Sequence, residues 1–215
     1  MELQKTEYMA LKLCTVLLGI FSLQTFTGFE PAFQAGVSPW WKFFVSFFGH
    51  SGPEHLFNNL FFIALFGTLY EAYTSSRIFW STFLISAIGA NLTAFIFYTG
   101  SAIIGASGGA MGLLSALAVY KPRKIGLVLG IPAPMYMVLI GYLIINFAGI
   151  TGSSSVAYEA HLFGLFTGSI FGLWLRDSSK KRKKKENEHE KNKGSVDEGE
   201  YWSERIRNWE EKYMM

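Results

Sequence analysis

Charge is what this sequence has least of. Asp, Glu, Lys and Arg make up 16% of its 215 residues, against about 25% in soluble domains. From residue 78 to residue 120 there is no charged side chain, and a water-facing surface cannot be built from such a segment. Cysteine is scarcer still. Cys14 stands alone, which excludes an intramolecular disulfide, and its apolar surroundings give it a packing role. No His-Glu-x-x-His pattern is present, so a zincin-type metal helix is excluded. An internal repeat and charges in the middle of apolar runs, the marks of a channel or transporter, are also lacking.

What the sequence does have is long apolar segments. Half of its residues are hydrophobic and 17% are aromatic. Six segments approach the roughly 20 apolar residues that cross a bilayer: 9–28, 54–73, 78–99, 105–120, 125–148 and 157–175. The first lacks a small-x-small cleavage site and is expected to be a retained span. Between the first two, Phe29 to Pro53 carries Trp40, Trp41, Phe43, Phe44, Phe47 and Phe48. Aromatic rings favour the headgroup region, so this segment is expected to be an interfacial, partly helical loop. The fold class predicted is therefore an all-α, six-span membrane bundle with an interfacial first loop.

Basic residues orient it. Lys5 and Lys12, Arg77, the cluster Lys121-Pro122-Arg123-Lys124 and the tail from Arg176 mark one side; Lys42 is nearly alone on the other. The positive-inside rule then puts both termini in the cytoplasm, with the protein multi-pass in the cell membrane. Spans 2, 4 and 6 run inward in parallel. Asn59, Ser107 and His161 precede the anchors Arg77, Lys121 and Arg176 by 18, 14 and 15 residues. At about 1.5 Å per residue these polar groups lie roughly 20–27 Å above the inner boundary, at a common depth with His55. Polar side chains at such depth are costly and are retained for function.

Glycines give the packing. Span 4 has Gly108 and Gly112; span 6 has Gly164, Gly168 and Gly172. Small residues at i, i+4 let two backbones approach, and a contact between these spans sets Ser107 beside His161. Packing alone accounts for such ridges, but not for a serine and a histidine at their heads. Ser107 lies in Gly105-Ala106-Ser107-Gly108-Gly109, where Gly105 permits a tight turn and close approach of a substrate backbone. The start of a helix there offers free N–H groups to an oxyanion. A serine hydroxyl needs a base, and His161 is the candidate, acting as general base and then general acid. Glu159 is too close in sequence to His161 to face it as a third member. His55 and Asn59 are one turn apart on one helical face, and both can donate hydrogen bonds to an oxyanion.

Gly-Ala-Ser-Gly at 105–108, Ala160-His161-Leu-Phe-Gly164 with Gly168, and His50-x4-His55-x3-Asn59 together resemble the rhomboid intramembrane serine proteases over roughly residues 40–175. The resemblance implies Ser107 as nucleophile, His161 as its base, His55 and Asn59 as oxyanion donors and His50 as a structural histidine. Trp41-Lys42 falls where the family usually has Trp-Arg; lysine keeps the charge but not the guanidinium fork. Glu71 matches a glutamate that ties helices together, and Met111 stands where an aromatic often packs on the histidine. The resemblance also implies single-span membrane protein substrates that enter laterally from the lipid bilayer and unwind near small residues. No cofactor, metal or nucleic acid is expected.

The last part of the chain changes character, so two domains are expected: 1–176 as the six-span catalytic part and 177–215 as a charged cytoplasmic tail. Lys180 to Lys185 fixes topology or meets anionic headgroups. Glu186 to Glu200 reads as a solvated linker. Trp202, Ile206, Trp209 and Tyr213 share one face of a short amphipathic helix. The rival readings are a rhomboid-fold protein that binds clients without cutting them, a channel or transporter, and a zinc site on His50, His55 and His161.

Overall fold

The structure is a computed structural model that describes residues 7–98, 100–152 and 156–214. Lys5, one of the orienting residues, lies outside them. The fold is mainly helical. Helix α1 (Met9–Thr27) stops at Gly28, whose left-handed φ of 70° places its N–H on the carbonyl of Gln24; glycine adopts that conformation without a Cβ penalty. The aromatic segment that follows carries α2 (Lys42–Val45) and a 3-10 turn at Ser46–Phe48.

Helix α3 (Pro53–Phe62) begins with proline in its first turn and Glu54 beside it, both suited to a helix N-terminus. The expected span 54–73 is not one regular helix. After α3 the chain widens into a π turn at Ile63–Gly67, then closes as α4 (Thr68–Glu71). Such turns often mark functional helices. This one brings Gly67 against Ala10 and Phe79, where a Cβ would meet each at 3.2 Å. Helix α5 (Ser76–Phe97) is N-capped by the Ser75 hydroxyl, which accepts from the Ile78 N–H. Helix α6 (Ser107–Tyr120) is buried along almost its whole length.

The fifth apolar segment departs from expectation. Residues 125–148 do not form one helix. Strands β1 (Ile125–Val128) and β2 (Ile131–Pro134) pair as an antiparallel hairpin, with Val128 opposite Ile131 and Ile125 opposite Pro134. Leu129 and Gly130 form its turn at φ 51° and 80°, the two positive values a type I′ turn requires. Helix α7 (Met135–Ile150) starts only after Pro134. The fold is thus all-α apart from this hairpin and a single bridge between Phe33 and Ile103, among the described residues. Helix α8 (Tyr158–Tyr213) completes the chain.

Two compact units divide it, Met1–Leu173 and Trp174–Met215. In the first, polarity is turned inside out for a protein in water. Thr82, Ser86, Asn91, Ser115 and Asn146 are buried, while Leu18, Phe57, Ile88, Phe97, Ile144 and Phe166 are exposed. Apolar side chains outside and hydrogen-bonded polar groups inside suit a lipid solvent. Helices α1 and α5 are long and apolar enough to cross a bilayer, and α6 and α7 are shorter apolar helices. The second unit is helical, including residues 186–200, where composition predicts a linker. Lys, Arg and Glu are good helix formers, and exposed i, i+4 pairs such as Lys181–Asp177 and Arg182–Glu186 add a little support. Trp202, Ile206, Trp209 and Tyr213 are all exposed in this unit.

Candidate active site

Helices α6 and α8 meet backbone to backbone. A Cβ on Gly164 would fall 2.3 Å from the Gly108 carbonyl oxygen, one on Gly168 2.0 Å from that of Gly112, and one on Gly172 2.7 Å from that of Ala116. The partners advance by four on both helices, so the two run parallel in one register. Only residues without a side chain fit such a contact. On its other side α6 meets α5, where a Cβ on Gly108 would strike the Ala90 methyl at 2.2 Å and one on Gly112 the Ser86 hydroxyl at 2.1 Å. Ser107 opens α6 and His161 lies in the first turn of α8, so the contact sets both at the same end of the pair. Ser107 is half-buried, and among the described residues its hydroxyl makes no hydrogen bond to His161. Contacts of that kind are often long before substrate binds.

His161 is held from α7. Its Nδ1 lies 2.9 Å from Oδ1 of Asn146 on α7, and the Asn146 Nδ2 donates to the Tyr142 carbonyl at 2.7 Å. Asn146 is 2% exposed. The Tyr158 ring meets the His161 ring edge-on at 6.1 Å between centroids. That tyrosine lies over Gly149, where a Cβ would sit 2.4 Å from the ring. Neither Asn146 nor Tyr158 is singled out by sequence reasoning. A lone carboxamide in an apolar helix was the available signal. Glu159 faces elsewhere: its carboxylate accepts a hydrogen bond from the Tyr98 hydroxyl.

The third wall is α3. A Cβ on Gly105 would lie 2.6 and 2.7 Å from Cε1 and Nε2 of His55, and Gly105 itself has φ 125°, so a side chain is barred by both space and backbone. The Nδ1 of His55 is 3.0 Å from the Ser51 hydroxyl. With Ser51 donating to Nδ1, the proton of His55 resides on Nε2, the atom turned toward Gly105. Asn59 is buried, and its Nδ2 gives one proton to the His55 carbonyl at 3.0 Å. His50 is 2% exposed, with its ring 5.1 Å from that of His55. Its main chain is clasped by Gln24, which donates to the His50 carbonyl and accepts from its N–H, each at 3.0 Å. His50, His55 and His161 do not form a metal-binding group among the described residues.

Other expected residues hold the frame. The Glu71 carboxylate accepts from the N–H groups of Glu7, Met9 and Ala10 at 3.0–3.2 Å, satisfying donors at the open end of α1. Lys42 begins α2 and Trp41, the residue before it, is exposed. Met111 is buried in α6. The aromatic segment is stitched to the stretch before Ser107: Phe33 and Ile103 exchange main-chain hydrogen bonds, and the Gly105 N–H donates to the Ser46 carbonyl at 3.0 Å. Asn91 of α5 donates to both the Phe43 carbonyl and the Ser46 hydroxyl at 2.8 Å.

The arrangement is a serine at a helix N-terminus, an oriented imidazole and further donors around one glycine turn, which is the equipment for acyl transfer. Residues 37–178 match the Rhomboid domain. Rhomboid-like protein 11, chloroplastic, of Arabidopsis thaliana is 29% identical over 156 residues, covering 63% of this chain and 52% of that protein. The chain thus spans about half the length of this relative.

Proposed function

The chain belongs to the rhomboid family of membrane-embedded proteins, and from that premise we propose that it is an intramembrane serine endopeptidase. Its substrates on this reading are single-span membrane proteins, cut within their transmembrane segments. The observation that carries the reading is the glycine-lined contact of α6 with α8, with Ser107 and His161 at its head.

The chemistry follows from the atoms present. His161 Nε2 takes the proton of Ser107 Oγ as that oxygen attacks the scissile carbonyl carbon. The π electrons move onto the carbonyl oxygen, and donors must meet them there. The Ser107 N–H is free at the helix start, His55 offers Nε2–H, and Asn59 retains one Nδ2 proton beyond the one it gives to His55. Collapse re-forms the carbonyl and breaks the C–N bond. The leaving nitrogen takes the proton from His161, and water then releases the acyl group from Ser107 by the same steps.

The rest of the reading concerns placement. Residues 1–176 form a six-span catalytic part in the cell membrane, residues 177–215 form a cytoplasmic tail, and both termini face the cytoplasm. The aromatic segment around Trp41 and Lys42 lies at the outer interface, where its rings favour the headgroups. No cofactor takes part. A rhomboid-fold protein that binds clients without cutting them is the second reading, and the description of the Arabidopsis relative as rhomboid-like, which names no activity, favours it no less. Cleavage of a single-span substrate in proteoliposomes separates the two. Wild type should cut, and Ser107→Ala and His161→Ala should each abolish cutting; equal cutting by Ser107→Ala would leave the dyad untenable.

A further inference from the structure

We propose that Asn146 is the positioning residue of this site, fixing His161 in the one neutral tautomer able to accept the Ser107 proton. The inference rests on the protease reading for its consequence in rate, but not for its geometry. A carboxamide can be turned end for end, and here chemistry decides which end faces the histidine. The atom 2.7 Å from the Tyr142 carbonyl must be the NH2 group, because an oxygen there would set two acceptors against each other. The Asn146 oxygen therefore faces His161 Nδ1, 2.9 Å away. An oxygen acceptor demands a proton on Nδ1, which leaves the Nε2 lone pair free to act as base.

Burial makes this choice firm. Asn146 is 2% exposed, and a flipped amide or the other tautomer would strand a polar atom away from water. Rotation of the ring is limited as well. Tyr158 packs edge-on against it while filling the space over Gly149, one turn beyond Asn146 on α7. Helix α7 thus contributes no reacting atom but sets the orientation of one that does.

Through the reaction the Nδ1 proton stays where it is. A carboxamide oxygen is too weak a base to take it, so the proton that moves from Ser107 Oγ to Nε2 is the same one delivered to the leaving nitrogen. As the imidazolium forms, the Asn146 oxygen strengthens its bond to Nδ1–H, stabilising the transition state more than the resting site. Loss of this acceptor should therefore lower kcat and leave KM near its wild-type value.

Two measurements on the full chain test this. In 15N spectra of histidine-labelled protein, the His161 resonances, assigned by their loss in His161→Ala, should show protonated Nδ1 and unprotonated Nε2. In Asn146→Leu they should show mixed tautomers. With a single-span substrate, Asn146→Leu should lower kcat by about 10- to 1,000-fold with little change in KM, and Asn146→Asp, which keeps an acceptor oxygen, should recover most of the loss. A wild-type spectrum with the proton on Nε2 overturns the proposal, and so does an unchanged kcat in Asn146→Leu. The wild-type spectrum needs no variant and no turnover. If the protein cuts nothing, the protease reading fails while the spectrum still decides the role of Asn146.

Discussion

A single methyl group tests the glycine turn before Ser107. At Gly105 the φ of 125° and the His55 ring 2.6–2.7 Å from a would-be Cβ act together. Gly105→Ala should push His55 from its place and cut kcat by about 10²-fold, the scale of losing one oxyanion donor. Thermal stability should fall far less, and kinetics beside a melting curve would separate the two effects. At this scale the sequence was informative where chemistry names its own residues. Ser107 and His161 stand out because serine and histidine are rare at the heads of glycine ridges, and His55 with Asn59 because helical spacing puts them on one face. Asn146 did not stand out. Its partner is 15 residues away on a different helix, and no spacing rule links positions brought together only by packing. Ser51 escaped for the opposite reason, being a loop serine among many.

Between elements, the α6–α8 contact should be intolerant of any side chain. Gly168→Val places a branched group where even a Cβ alone would fall 2.0 Å from the Gly112 oxygen, so the helices must separate. A loss of ~1–3 kcal/mol is expected from such overpacking, read as a lowered midpoint in detergent. Glu71 works in a different way. Glu71→Ala would leave the N–H groups of Glu7, Met9 and Ala10 without their acceptor and should cost ~1–3 kcal/mol. Glu71→Gln keeps an acceptor oxygen and should cost less. Hydropathy located the apolar helices within a few residues but misjudged two of them. The π turn at Ile63–Gly67 is an insertion of hydrogen-bond geometry, invisible to a hydrophobic count. The hairpin was legible in principle: Gly130, Pro132 and Pro134 break a helix, but Ile125, Leu127 and Val128 gave the window an apolar mean that hid them.

For the whole molecule, the inverted polarity of the first unit agrees with a bilayer environment, and the proposed direction across it rests on the basic residues. Single cysteines placed at Tyr8 and at Ser178 in a Cys14→Ala background should both react with an impermeant maleimide only in inverted vesicles. Reaction of one from each side would refute the both-ends-inside topology. The tail lies in its own compact unit, so a chain ending at Arg176 should keep its cleavage activity within a few-fold. The composition of that tail predicted a break in the helix that the structure does not have, because charge alternation reads alike in a solvated linker and in an exposed helix of Lys, Arg and Glu.

The most direct test is covalent. A fluorophosphonate reports a serine activated by its neighbours, so the adduct should form on Ser107, be located there by peptide mass spectrometry, and vanish in His161→Ala. An adduct on another residue, or one on Ser107 that forms equally well in His161→Ala, would contradict the account.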